Sequence, residues 1–196
     1  MASPAGSAST ALVLASASPR RRWLLAALDV PFSVLAVDID ERPHEGEAPS
    51  VFAQRVAAEK ARAAHAQRPA WTLAADTIVE LDGCIFGKPE DADHAAATLR
   101  QLSGRTHVVR TAMTLLAPSG ATAEEASVTT EVSFRPLDAK GIRAYVATGE
   151  PFGKAGAYAI QGEGARLVDR VQGSYTNVIG LPLEEVAVWL RARGLA

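Results

Sequence analysis

The segment Ser16-Ala17-Ser18-Pro19-Arg20-Arg21-Arg22 joins an apolar run, ALVLA (11–15), to a helical pattern reaching about Leu28. Ser18 suits an N-cap and Pro19 the first helical position, which puts Arg20 and Arg21 in the first turn. The helix macrodipole is already positive there and disfavours each cation by roughly 0.3–1 kcal/mol. A bound anion would remove the conflict, because free N–H groups at a helix N-terminus themselves attract anions; otherwise the arginines fan into solvent. A second group of charges, Asp38-Ile39-Asp40-Glu41, supplies three carboxylates, either a solvated loop or ligands for a hard cation.

Two further charges stand in apolar patterns. Phe52, Val56 and Lys60 follow one another at i, i+4 and i+8, so Lys60 continues the stripe that should meet the core. Its ammonium then either snorkels to an edge or enters a cleft. Asp76 lies in LAADTIVEL with Ala74 and Ile78 as its face-mates. An unpaired carboxylate there would cost several kcal/mol, so it needs a cation, a metal or hydrogen-bond donors. The Asp82-Gly83 turn returns the chain, and hairpin counting places Lys88 opposite Thr77, level with Asp76 but on the other face unless a bulge at Gly87 rotates it. Between Gly153 and Gly162 the glycines permit close backbone approach, and Gln161 carries both a donor and an acceptor suited to a nucleobase edge.

Other chemistries are excluded. Gly149-Glu-Pro-Phe-Gly153-Lys154-Ala155 has three residues between its glycines where a P-loop has four, and Ala155 lacks the hydroxyl. The four histidines are isolated, Cys84 has no cysteine partner, and no G-x-S-x-G elbow occurs. Carboxylate and metal chemistry is the enzyme class that survives.

Patterning supplies the elements around these residues. Strands are expected at 11–15, 32–37, 71–81, 84–87, 107–117 and 127–137, and helices at 18–28, 50–67, 90–102, 138–147 and 183–193. The glycine-punctuated stretch 149–180 is left irregular. The mixture lacks strict alternation, so the fold class is α/β or α+β with a mixed sheet. Residues 1–10 read as a disordered leader without signal-peptide features, and 11–196 as a single domain. A net charge of -2 argues against nucleic-acid binding, no apolar run has the length of a membrane span, and a lone cysteine suits a reducing, cytoplasmic compartment.

Taken in order, LASASPRRRWLL, VDIDE, AEKA, AADTIV, GKP, LSGRTHVVRTA, KAGAYAIQG and GSYTNVIGLPL closely resemble the Maf family of nucleotide pyrophosphatases, once described as septum-formation inhibitors. The resemblance spans about residues 11 to 190. It implies a twisted mixed sheet flanked by helices, with two lobes around a cleft as in inosine-triphosphate pyrophosphatases, and a homodimer. SPRR, ADT and AYAIQG are similar to the branch that hydrolyses dTTP and UTP rather than 7-methylguanosine triphosphate. Carried over, Asp76 is the catalytic acidic residue, and Arg20, Thr77 and Gln161 stand at positions tied to substrate choice. Ser16, Arg21, Glu41, Lys60 and Lys88 line the cleft: Ser16, Arg21, Lys60 and Lys88 would hold phosphate, and Glu41 with Asp76 a Mg²⁺ or Mn²⁺ ion. One departure is Gly153, where the family usually has aspartate. The rival expectations are a nucleotide-binding regulator of division without turnover, and a pyrophosphatase with another base preference.

Overall fold

The computed structural model describes residues 12–196; the expected leader lies outside them. Seven strands form one mixed sheet: β1 (Leu12–Leu14), β2 (Phe32–Val34), β3 (Trp71–Leu81), β4 (Cys84–Phe86), β5 (Thr106–Leu116), β6 (Thr122–Phe134) and β7 (Val168–Gln172). Their spatial order is β2-β1-β3-β5-β6-β7, with β4 also paired to β3. β2 and β1 run parallel to β3, whereas β4, β5, β6 and β7 pair antiparallel with their neighbours. The sheet is therefore mixed, and its antiparallel side is built from two long strands that hydrophobic patterning marks clearly.

The described residues also form six α-helices: α1 (Pro19–Ala26), α2 (Pro49–Gln67), α3 (Ala92–Leu102), α4 (Ala139–Ala147), α5 (Tyr175–Ile179) and α6 (Leu183–Ala192). Several begin on side-chain caps, which fix where the chain turns into the helix. Ser18, Asp91, Asp138 and Ser174 each accept from the backbone N–H three residues on. Asp82 and Gly83 both have positive φ, 52° and 78°, the backbone of a type I′ hairpin turn between β3 and β4.

Differences from the expected elements have local causes. β6 begins five residues ahead of the expected Ser127, because Thr122–Ala126 pair with the far end of β5 although their composition is turn-like. The glycine-rich stretch holds two 3₁₀ turns, Ala155–Ala157 and Gly162–Leu167, then β7 and α5. β7 has no fully buried residue and runs along the edge of the sheet, so its alternation is weak.

One sheet face is covered by α2, with Leu35, Val37 and Ile39 packed beside it. Phe52, Ala53, Val56 and Ala57 pack with Ile78 and Ala112, and Ala61 and Ala64 with Ala74 and Leu116. The other face carries two clusters. Leu73 and Ala75 of β3 join Leu24 and Leu25 of α1, Ile179 of α5, and Val186 and Leu190 of α6. Val79 and Leu81 join Leu99 and Leu102 of α3 and Ile142, Tyr145 and Val146 of α4. Thr77 falls between these two sets on the same strand face, so the boundary of the two lobes crosses β3 at this residue.

Candidate active site

The cleft follows from the sheet's pairing. β1 pairs with β3 only as far as Leu14 opposite Leu73, and β4 pairs with it only from Leu81 back to Val79, opposite Phe86. Between them this edge of β3 lacks a strand partner, and Asp76 and Thr77 lie in that gap. A cavity of about 670 Å³ opens there, and each of Ser16, Arg20, Arg21, Glu41, Lys60, Asp76, Thr77, Lys88 and Gln161 lines it. These nine are the residues expected from the sequence.

Asp76 points to the α2 face and is 7% exposed. Its Oδ1 accepts a 2.8 Å bond from Lys60 Nζ, which is itself 8% exposed. Lys60 therefore reaches a cleft rather than snorkelling to an edge, and the charge in the apolar strand is met by a charge in the apolar helix stripe. The same Nζ lies 2.8 Å from Glu41 Oε1, and Glu41 Oε2 lies 3.2 Å from Lys88 Nζ. Burial alone would raise the Glu41 carboxyl, but Lys60 and Lys88 outweigh it and hold it below the usual range. Lys88 lies beyond the last β3–β4 pair, so hairpin register no longer dictates its direction and it turns to Glu41.

The loop bearing Glu41 is strapped to α2. Arg55 donates to both Glu47 oxygens, at 2.7 and 2.8 Å, and to the Arg42 carbonyl at 3.0 Å. Asp40 is drawn off by a bidentate bond to Arg42, so of the three loop carboxylates it is Glu41 that meets Lys60 and Lys88.

Arg20 and Arg21 occupy the first turn of α1, which carries no acidic residue. Arg21 donates to Gly180 O at 2.8 Å, Thr77 Oγ1 at 2.9 Å and Ser16 Oγ at 3.5 Å. Arg20 Nε reaches Ile179 O at 3.4 Å. Burial pulls both guanidinium pKa values down, and for Arg21 the Asp76 charge opposes that pull. Neither arginine is in an ion pair among the described residues. Nor is Lys154, the cleft residue that follows the Gly153 departure, whose Nζ turns back to the carbonyls of Glu150 and Phe152. Glycine at 153 gives it no side-chain partner there, and burial and then Arg20 lower its pKa against the opposing charge of Glu150. Three cations at one cleft without carboxylate partners are an electrostatic demand for an anion.

Gln161 precedes the second 3₁₀ turn and leaves its side chain uncapped. Its loop is held from two directions. Gly156 has φ +69°, and a Cβ there would come within 2.8 Å of Val79 Cγ2, so the backbone lies directly on β3. Glu150 accepts from Glu163 N and Gly164 N at 3.1 and 2.7 Å.

Among the described residues no three His, Cys, Asp or Glu side chains form a metal cluster. Glu41 and Asp76 offer two carboxylates that share one ammonium, a donor set matching the way Mg²⁺ binds through one or two carboxylates plus substrate phosphates.

Fold and site together define an α/β protein with a basic cleft for a polyanion, set beside a cation-bridged pair of carboxylates. The family profile described as Maf-like protein matches residues 11–193, and the chain belongs to the Maf family. A Myxococcus xanthus (strain DK1622) protein named dTTP/UTP pyrophosphatase is 52% identical over 187 residues, covering 95% of this chain and 94% of that protein. Proteins of the same name from Yersinia pestis bv. Antiqua (strain Antiqua) and Geobacter metallireducens (strain ATCC 53774 / DSM 7210 / GS-15) are 51% and 50% identical. They cover 90% and 93% of this chain, and 89% and 96% of their own. Among solved structures, a HAM1 protein from Coxiella burnetii superposes with a TM-score of 0.54 at 17% identity, covering 93% of this chain and 98% of that one. The Staphylococcus aureus Ham1 protein gives 0.51 at 14%, covering 93% and 99%. At these identities the likeness concerns the fold.

Proposed function

We propose that the protein hydrolyses dTTP and UTP between the α- and β-phosphates, yielding the nucleoside monophosphate and pyrophosphate. The observation that carries the reading is a buried carboxylate, Asp76, held by Lys60 at a cleft where Arg20, Arg21 and Lys154 lack ion-pair partners. The names of relatives about half identical over nearly the whole chain support it.

In this mechanism the arginines and lysines hold the triphosphate and neutralise its oxygens, where most catalysis of phosphoryl-type transfer originates. Lys60 and the strand backbone fix Asp76, which orients a water and takes its proton. The water oxygen bonds to the α-phosphorus as the bond to the bridging oxygen breaks, and pyrophosphate departs with that oxygen. A Mg²⁺ or Mn²⁺ ion held by Glu41, Asp76 and the phosphates would supply further charge neutralisation. Gln161 and Thr77 read the pyrimidine, with Arg20 lining the same cleft. We extend the proposal to a cytoplasmic homodimer; a monomer mass in sedimentation equilibrium would remove the second half of that extension.

The test is pyrophosphate release from a panel of ribo-, deoxyribo- and modified triphosphates with Mg²⁺ or Mn²⁺, beside Asp76→Asn. Release from dTTP and UTP is expected, falling by about 10²–10⁴ in the variant. Silence across the panel from folded protein would sink the hydrolytic reading and favour binding without turnover.

A further inference from the structure

Thr77 and Thr111 stand directly opposite each other in the β3–β5 ladder, and their hydroxyls are 2.9 Å apart. Thr111 is fully buried, and its Oγ1 also lies 3.1 Å from the carbonyl oxygen of Asn177, a residue with no exposure. The amides of Gly180 and Leu181, which could otherwise reach that carbonyl, both turn to Thr176 O. A buried carbonyl left unpaired is costly, so the single Thr111 proton goes to Asn177 O. Thr111 then has only lone pairs to offer Thr77, and Thr77 must spend its own proton on Thr111. One Thr77 lone pair accepts from Arg21 Nη2 at 2.9 Å. What remains to face the cleft is a lone pair and no proton.

We infer that Thr111, through this relay, holds Thr77 as an acceptor toward the cleft, and that this selects bases carrying an imide N–H, uracil and thymine, over cytosine. The inference rests on the proposed triphosphate cleft and names how its base end discriminates. A triphosphate offers only acceptors, so an acceptor-only hydroxyl is mismatched to it and matched to a donor. At ring position 3 uracil and thymine present N–H where cytosine presents a bare lone pair; cytosine's donor is its exocyclic N4 amino group, so the distinction is made by an acceptor set against N3. Gln161 alone cannot make the distinction, since its amide turns to present either oxygen or nitrogen. Fixed polarity needs a group whose proton is already committed, and the Thr77–Thr111–Asn177 relay commits it.

The experiment compares UTP and CTP in two readouts, turnover and equilibrium binding of their α,β-imido analogues, for the full chain and for Thr111→Ser and Thr111→Val. Wild type should favour uridine in both. Thr111→Ser keeps the relay and should keep the ratio. Thr111→Val frees the Thr77 proton to face the cleft and should cut the uridine-to-cytidine ratio by about tenfold, the value of one hydrogen-bond mismatch. Should Thr111→Val not fold, Thr77→Val removes the same acceptor and should cut the ratio likewise. A folded Thr111→Val with an unchanged ratio, or equal binding of both analogues by wild type, overturns the relay. Selective binding without turnover would leave the relay standing and overturn the hydrolytic reading instead.

Discussion

At the scale of residues, Lys60 and Asp76 are not symmetric partners. Lys60 serves two carboxylates at 2.8 Å each, whereas Asp76 is served by one ammonium. Lys60→Met would strand Asp76 and leave Glu41 with Lys88 alone, and breaking a buried pair from the cationic side costs on the order of 3 kcal/mol. Asp76→Asn leaves Lys60 still paired to Glu41 and should cost much less. Urea denaturation of the two variants and their double should show Lys60→Met less destabilising in the Asp76→Asn background, because one stranded charge is gone. Equal cost in both backgrounds would mean that Lys60 and Asp76 are not energetically coupled.

Among the elements, β5 governs the loop that carries Lys154 and Gln161. His107, at the start of β5, bonds Tyr158 OH through Nε2 at 2.9 Å, and Phe134 packs against both rings at about 5 Å. Burial lowers the His107 pKa to about 4 from 6.5. The depressed value means that the unfolded chain takes up a proton that the native state refuses. His107 therefore costs stability progressively as pH falls from about 6.5 toward about 4, by a few kcal/mol in all, and nothing above that window. Urea midpoints measured across that range should decline more steeply for the wild type than for His107→Gln. Parallel curves would show that His107 titrates normally and that Tyr158 is held by packing alone.

Over the whole molecule, two apolar clusters share one sheet face and meet at Thr77, so a ligand in the cleft touches both lobes at once. α1 and α5 contribute Arg20, Arg21 and Ile179 from one side, while the loop beyond α4 contributes Lys154 and Gln161 from the other. A ligand bridging them stabilises only the native arrangement. At a concentration of about 100 Kd, UTP should add roughly 2.7 kcal/mol. For a chain of this length that corresponds to a Tm rise of about 5–10 °C, read by calorimetry in Asp76→Asn to prevent turnover. No shift at that nominal concentration would show that UTP does not bind the native cleft.

Strands β3 and β5, the Ser18 cap and the Asp82-Gly83 turn were legible along the chain because local chemistry dictates them: period-2 apolar runs, a capping side chain, a residue pair tolerant of positive φ. So was the misfit of Asp76 and Lys60, since a charge in an apolar stripe announces itself. β7 and the early start of β6 were not, because their pairing partners, rather than their own residues, make them strands. Nor did sequence say that the two misfits answer each other or that Lys88 turns to Glu41. Thr111 looks in sequence like any β-branched strand residue, and its proton acquires meaning only beside Asn177 O, sixty-six positions away. Local pattern determines which residues form strands, helices and turns. Which charge neutralises which, and where each proton points, depends on residues that only the packed sheet brings within bonding distance.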